Sequence, residues 1–160
     1  MHESPLTSGV CRALGVVGAV FGVALLSGGV ASAANPVQLK SRLGNLCLDG
    51  PGGNKTATVV NPCDGSNSQL WALNSAGQIQ SVAFPENCVS VNNSADNTPV
   101  MLLHCQTDAK NQQWNTQPNG QVTSALGPCL NVSGGVANPG TPVIAYHCIP
   151  DVAHEQWDSV

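Results

Sequence analysis

Apolar residues occur in short runs along this chain, separated by glycine, proline and asparagine. Beyond the first 33 residues no stretch keeps a helical period over three turns, whereas short apolar runs bounded by turn residues are typical of β-strands. The pattern predicts four strands at the start of this region: Gln38 to Arg42, Leu46 to Asp49, Ala57 to Asn61 and Leu70 to Leu73. We therefore predict an all-β fold.

The same four-strand pattern recurs three times. Cysteines spaced 41 residues apart open the copies, at Cys47, Cys88 and Cys129. Tryptophans spaced 43 residues apart close them, at Trp71, Trp114 and Trp157. Such spacing indicates one supersecondary unit of about forty residues, so we expect twelve short strands with pseudo-threefold symmetry, in repeats of approximately 36–76, 77–118 and 119–160. Three units are too few for a propeller. We therefore favour a closed barrel capped by hairpins.

The first 33 residues have the features of a secretory signal peptide. Arg12 precedes an apolar stretch from Ala13 to Val30, and Ala31-Ser32-Ala33 places small residues where a signal peptidase reads them. We expect cleavage after Ala33, which leaves a single domain of residues 34–160 that is secreted and has no membrane contact. An uncleaved membrane anchor is the alternative.

Residues 34–160 contain six cysteines, an even number that in a short exported chain indicates a disulfide framework. Six cysteines allow fifteen pairings. The threefold repeat favours the one pattern that each copy can form alone, which is Cys47 with Cys63, Cys88 with Cys105 and Cys129 with Cys148.

The charge of the chain argues against several classes of partner. Without Glu3 and Arg12, the chain keeps eight of its nine acidic residues and four of its five Lys and Arg residues. It contains no basic run, and nucleic acids or anionic membranes normally require clustered cations. We therefore expect no nucleic-acid partner, and a ligand that is neutral and polar.

Several motifs together resemble a known family. The first copy has LCLD, a glycine-rich loop, VVNPCDG and QLW in that order, and the third has CLNVSGG, GTPVIAYHC and EQW. This series resembles the ricin-type β-trefoil lectins, whose repeats carry a Cys-Leu-Asp start and a QxW end. The resemblance covers essentially all of residues 36–160. It implies a β-trefoil that binds carbohydrate without catalysing a reaction, with galactose-type or plant-polysaccharide glycans as targets.

The resemblance also implies that the QxW tryptophan is a core residue, a role that its regular recurrence favours over that of a sugar platform. We expect the residue two positions before each tryptophan to fix the preceding turn through hydrogen bonds to backbone groups. These structural residues are Gln69, Trp71, Gln112, Trp114, Glu155 and Trp157.

In this family a sugar pocket combines an acidic residue two after the first cysteine, an aromatic residue two before the second, and a polar residue just before QxW. The third copy has Asn131, Tyr146 and His154 at these positions, and Tyr146 is the only tyrosine of the chain. The first copy has Asp49, Asn61 and Ser68. The second has Ser90, Leu103 and Asn111. We expect sugar binding first at the third copy and next at the first.

Other chemistry is not indicated by the sequence. His104 and His147 each precede a cysteine that the repeat assigns to a disulfide, and no zinc motif is present, so we expect no metal and no cofactor. The acidic residues are scattered over turns, which does not suit glycoside hydrolysis, and we expect no enzyme. The alternatives are a protein-interaction or protease-inhibitor module that uses a loop such as Phe84 to Asn87, and a degraded lectin without a ligand.

Overall fold

The computed structural model describes residues 35–160, and the signal peptide predicted for residues 1–33 lies outside the described residues. Residues 35–160 form thirteen short β-strands and four 3₁₀ helices. The first copy contains β1 (Leu39–Ser41), β2 (Leu46–Asp49), β3 (Thr56–Ala57), β4 (Val59–Pro62) and β5 (Trp71–Leu73). The second contains β6 (Ile79–Ser81), β7 (Asn87–Val91), β8 (Thr98–His104) and β9 (Trp114–Thr116). The third contains β10 (Val122–Ser124), β11 (Cys129–Val132), β12 (Thr141–Tyr146) and β13 (Trp157–Ser159). The 3₁₀ helices are Asn67–Gln69, Lys110–Gln112, Ser133–Gly135 and Ala153–Glu155.

The last strand of each copy pairs with the first strand of the next, and the three copies form a ring in this way. β5 pairs with β6, β9 with β10, and β13 with β1, all antiparallel. In each of these pairs the QxW tryptophan lies opposite a serine. These partners are Trp71 and Ser81, Trp114 and Ser124, and Trp157 and Ser41. The ring is the pseudo-threefold barrel of a β-trefoil, as predicted.

The third strands of the copies meet one another beneath this ring. β12 pairs with both β4 and β8, and β3 pairs with β8. The strand predicted at Ala57 to Asn61 is divided into β3 and β4 at Thr58, whose backbone bonds with Val100 of the second copy and Val143 of the third. Because Thr58 changes partner there, the structure has thirteen strands where the sequence predicts twelve.

The core repeats with the same symmetry. Leu48, Val89 and Leu130 each follow the first cysteine of a copy and are fully buried. Each of their carbonyl oxygens accepts a hydrogen bond from the indole N–H of the tryptophan in the same copy. The three distances are 3.1 Å from Trp71, 2.8 Å from Trp114 and 3.0 Å from Trp157. The indole rings therefore fill the core with their one polar atom satisfied.

Three disulfides fix the hairpins of the copies. They join Cys47 to Cys63, Cys88 to Cys105 and Cys129 to Cys148, which are the pairs within each copy that the repeat favours. Each loop closed in this way stabilises the fold by roughly 3 kcal/mol in the chain-entropy description. Among residues 35–160 there is no α-helix of the length and apolarity needed to cross a bilayer.

Candidate functional site

The three candidate residues of the third copy line one open cleft of about 320 Å³, which we call the third-copy cleft. Asn131 comes from β11, Tyr146 from the end of β12 and His154 from the 3₁₀ helix before the QxW motif. The cleft is completed by four residues that the sequence analysis did not select: Asn97, Gly134, Ile144 and Ile149.

Tyr146 is half-buried, and its ring is held against a neighbouring ring. The centroids of the Tyr146 and His147 rings lie 4.4 Å apart with an interplanar angle of 34°. His147 is fixed in turn by Asp96 of the second copy, which accepts 2.8 Å and 2.7 Å hydrogen bonds from the ring Nδ1 and the backbone N–H. These bonds, the ring bond first, hold the pKa of Asp96 below its ordinary value.

Asn131 is almost fully buried, and its amide has one orientation. Its Nδ2 lies 2.8 Å from Oε1 of Glu155, a carboxylate that only accepts hydrogen bonds, so the nitrogen must face it. Glu155 also accepts bonds from the backbone N–H of Ile149 at 2.7 Å and from Nε2 of Gln121 at 3.1 Å. Oδ1 of Asn131 has no hydrogen-bond donor among residues 35–160, so it can accept one.

Two glycines shape the wall beside His154. Gly134 and Gly135 have φ values of 62° and 64°, a region that glycine adopts without strain. A Cβ atom on Gly135 would lie 3.3 Å from Nδ1 of His154. The glycine pair therefore lets this loop pack closely on the imidazole.

The first and third copies have one amide and one carboxylate at the same two positions, but in opposite order. In the first copy the carboxylate belongs to Asp49, and its Oδ2 lies 3.3 Å from Nε2 of Gln69. In the third copy the amide belongs to Asn131 and the carboxylate to Glu155. The departure of Asn131 from the family pattern is thus matched by the departure of Glu155 from glutamine, and each copy keeps one donor facing one acceptor.

Two of the candidate residues of the first copy, Asp49 and Asn61, are bonded to each other. Oδ2 of Asp49 accepts a 3.0 Å hydrogen bond from Nδ2 of Asn61, whose Oδ1 accepts one from the backbone N–H of Gly140. Asp49 is 6% exposed, and its Oδ1 is buried without a hydrogen-bond partner among the described residues. Ser68 is half-buried, and its carbonyl accepts from the N–H of Gly50. Asn61, at the position of the aromatic residue, therefore ties the carboxylate to the third copy.

The second copy has a smaller cleft of about 250 Å³, the second-copy cleft, lined by Leu103 and Asn111 among others. Ser90 is fully buried, and its hydroxyl donates to the carbonyl of Cys88 at 2.8 Å. This copy thus presents neither the carboxylate nor the ring of the family pocket.

One residue next to each copy's site comes from the preceding copy around the ring. Asn97 reaches the third-copy cleft, Lys55 reaches the second-copy cleft, and Gly140 contacts Asn61 of the first copy. All three have positive φ values, of 65°, 64° and 81°. A search within one repeat cannot find them, although the Asn-Thr-Pro-Val and Gly-Thr-Pro-Val segments mark two of the equivalent turns.

Phe84, proposed as part of an exposed contact loop, packs inward. It is half-buried against the hydrophobic core, and a Cβ atom on Gly53 would lie 3.1 Å from its ring. Asn87 is buried at the start of β7. Only Pro85 and Glu86 of this segment are exposed.

The first residue of each QxW motif makes hydrogen bonds to backbone groups of the preceding turn. In the first copy, Gln69 accepts from the backbone N–H of Asp64 and donates to the carbonyl of Pro62. Gln112 bonds with Gln106 and His104 in the same way in the second copy. Glu155 accepts from Ile149 at the equivalent position.

Comparison with known proteins is consistent with this geometry. Residues 35–158 match the model of the ricin-type beta-trefoil lectin domain. An uncharacterised protein of Mycobacterium tuberculosis, Rv1419, is 54% identical over 95 residues, which are 59% of this chain and 60% of that protein. The chain therefore matches less than two thirds of this relative's length.

Two solved structures have the same fold. The designed threefold symmetric protein ThreeFoil superposes with a TM-score of 0.71 at 20% identity, over 78% of this chain and 97% of ThreeFoil. The agglutinin from Abrus precatorius superposes with a TM-score of 0.69 at 20% identity, over 81% of this chain and 49% of the agglutinin. The matched domain is a carbohydrate-binding module, and the match spans nearly all of the described residues. The chain therefore belongs to the ricin-type β-trefoil lectin family.

Proposed function

We propose that this protein is a secreted, non-catalytic lectin that binds galactose-type or plant-polysaccharide glycans in the third-copy cleft. The observation that carries the proposal is the meeting of Asn131, Tyr146 and His154 in one open cleft. A volume of about 320 Å³ is at the small end of ligand pockets and suits one sugar ring.

The groups in the cleft suit the two faces of a pyranose. The half-exposed ring of Tyr146 offers a flat apolar surface to the carbon-bound hydrogens of a sugar. Oδ1 of Asn131 accepts from a hydroxyl, and the imidazole of His154 and the amide of Asn97 supply further polar partners. A neutral acceptor makes a hydrogen bond about half as strong as a carboxylate does, so a single site binds weakly and gains from multivalent glycans.

The first copy is the less favourable site because Asp49 is almost fully buried and its Oδ2 is already bonded to Asn61 and Gln69. A sugar hydroxyl would have to displace Asn61 from Asp49 and expose the buried Oδ1. No aromatic ring would then compensate for the lost hydrogen bond.

Two further features support the non-catalytic and secreted parts of the proposal. Glycoside hydrolysis requires two carboxyl groups that flank the bond, and among the described residues those lining the third-copy cleft include no Asp or Glu. Three disulfides in a domain of this size fit an oxidising compartment.

The test is a binding screen of the purified, disulfide-bonded protein against galactosides, galactan and xylan. Tyr146→Ala removes the proposed stacking ring, and Leu103→Ala is its matched control because Leu103 lies at the same position of the second copy. We expect binding that Tyr146→Ala abolishes and Leu103→Ala keeps. Absence of binding to any neutral glycan by the folded protein would overturn the proposal and direct attention to protein partners.

A further inference from the structure

The second-copy cleft differs in chemistry from the cleft proposed for neutral sugars. Leu103 occupies the ring position, and the hydroxyl of Ser90 is used internally by the carbonyl of Cys88. The accessible polar side chains that line it are Lys55, His104 and the amides of Asn54, Gln106 and Asn111, with Asn111 half-buried.

Lys55 gives this cleft a positive charge, although the chain as a whole is acidic. Residues 35–160 contain four Lys and Arg side chains, and Arg42 is paired with Asp158 at 2.8 Å. Lys55 lines the cleft, and Lys110 directly precedes the lining residue Asn111. Among the described residues that line this cleft there is no Asp or Glu. An anionic group would therefore meet the exposed ammonium group of Lys55 and amide donors there.

The backbone of Lys55 gives an independent reason to assign it a function. Its φ is 64°, in the left-handed region where the Cβ atom of an L-residue approaches the carbonyl oxygen. The equivalent positions hold Asn97 and Gly140, which are types that tolerate this conformation. A lysine at a strained position beside a cleft points to a ligand for its ammonium group.

We propose that the second-copy cleft binds the anionic group of an acidic saccharide, either a uronate carboxylate or a sulfate ester. The ammonium group of Lys55 pairs with the anion, and the amides of Asn54 and Asn111 bind neighbouring hydroxyls. This site is separate from the third-copy cleft, and its anionic ligand departs from the neutral ligand that the overall charge predicts.

The test compares trigalacturonate with its fully methyl-esterified form, which has the same ring structure without the charge. Galactose 6-sulfate and galactose form the second pair and distinguish sulfate from carboxylate. All titrations are made on the full protein and on Tyr146→Ala, so that binding in the third-copy cleft is removed. We expect the charged member of at least one pair to bind and its neutral analogue to bind at least about tenfold more weakly.

Lys55→Asn is the informative variant because asparagine is the residue found at the equivalent position of the next copy. We expect it to lose about tenfold or more in affinity for the anionic ligand while its midpoint of unfolding stays the same or rises. Lys40→Asn removes the same charge on β1 and should keep the affinity. Equal binding of the charged and neutral forms, equal losses in the two variants, or no binding of either anion would overturn the proposal. Loss of anion binding in Tyr146→Ala alone would assign it to the third-copy cleft instead.

Discussion

The exchange of amide and carboxylate between copies predicts a strong coupling between residues 131 and 155. Asn131→Asp places a second carboxylate about where Nδ2 now lies 2.8 Å from Oε1 of Glu155, and both side chains are almost fully buried. Two like charges about 3 Å apart repel by about 5 kcal/mol at an effective dielectric constant of about 20. Since relaxation and solvent reduce this value, we expect the single variant to be destabilised by about 3–5 kcal/mol.

The second substitution should reverse most of that loss. Glu155→Gln alone removes charge-assisted bonds with Ile149 and Gln121 and should cost about 1–2 kcal/mol. The double variant recreates the pair that the first copy forms between Asp49 and Gln69. We expect it to lie within about 1.5 kcal/mol of the unmodified protein, which corresponds to a coupling energy of at least about 2.5 kcal/mol.

Urea unfolding of the oxidised protein at pH 7 measures this coupling, with the four free energies of unfolding forming one cycle. If the two substitutions simply add, the reasoning about the exchanged pair is wrong. The double variant also places a carboxylate in the third-copy cleft. It should therefore bind the neutral glycan more tightly than the unmodified protein does, because charge-assisted hydrogen bonds are about twice as strong as neutral ones.

Three further predictions concern the scaffold and the wall of the cleft. Trp71→Ala should lower the free energy of unfolding by about 3–5 kcal/mol, since the indole is fully buried and bonded to a core carbonyl; urea unfolding checks this value, and a loss under about 1 kcal/mol would contradict it. Gly135→Ala and Gly65→Ala both introduce strain of about 1–2 kcal/mol at positive φ. Only in Gly135→Ala does an atom of the third-copy cleft lie within 4 Å of the new carbon. Isothermal titration should therefore show weaker glycan binding for Gly135→Ala and unchanged binding for Gly65→Ala. Asp96→Asn should destabilise the protein at pH 5, because the ionised Asp96, whose pKa is lowered in the folded state, stabilises the fold there. The difference in stability between the variant and the unmodified protein should fade as the pH drops through about 4 and below the folded-state pKa. Acid-unfolding curves in which this difference persists or grows at lower pH would refute the prediction.

The fold could be predicted from the sequence because each copy repeats the same spacing of cysteine and tryptophan. The spacing of Cys47, Cys88 and Cys129 assigns the same hairpin to each copy, and the structure repeats the bond from the indole to the core carbonyl three times. The division of the third strand at Thr58 could not be predicted, because it depends on contacts with the other two copies.

The candidate site was predictable only as far as it lies within one repeat. The pocket pattern of the family, applied to each copy, selects Asn131, Tyr146 and His154, and the structure brings them together. Asn97 could not be found in this way, because it reaches the cleft from the preceding copy. The hydrogen bond between Asn61 and Asp49 also depends on a residue far along the chain, since Asn61 is held by the backbone N–H of Gly140.

The most direct test of the account follows the ring of Tyr146 by nuclear magnetic resonance during titration with a neutral glycan found in the binding screen. Tyr146 is the only tyrosine of the chain, so its ring signals can be assigned without ambiguity. We predict that these signals shift in proportion to saturation, while the indole N–H signals of the three buried tryptophans stay nearly constant. Binding that leaves the Tyr146 signals unchanged would contradict the assignment of carbohydrate recognition to the third-copy cleft.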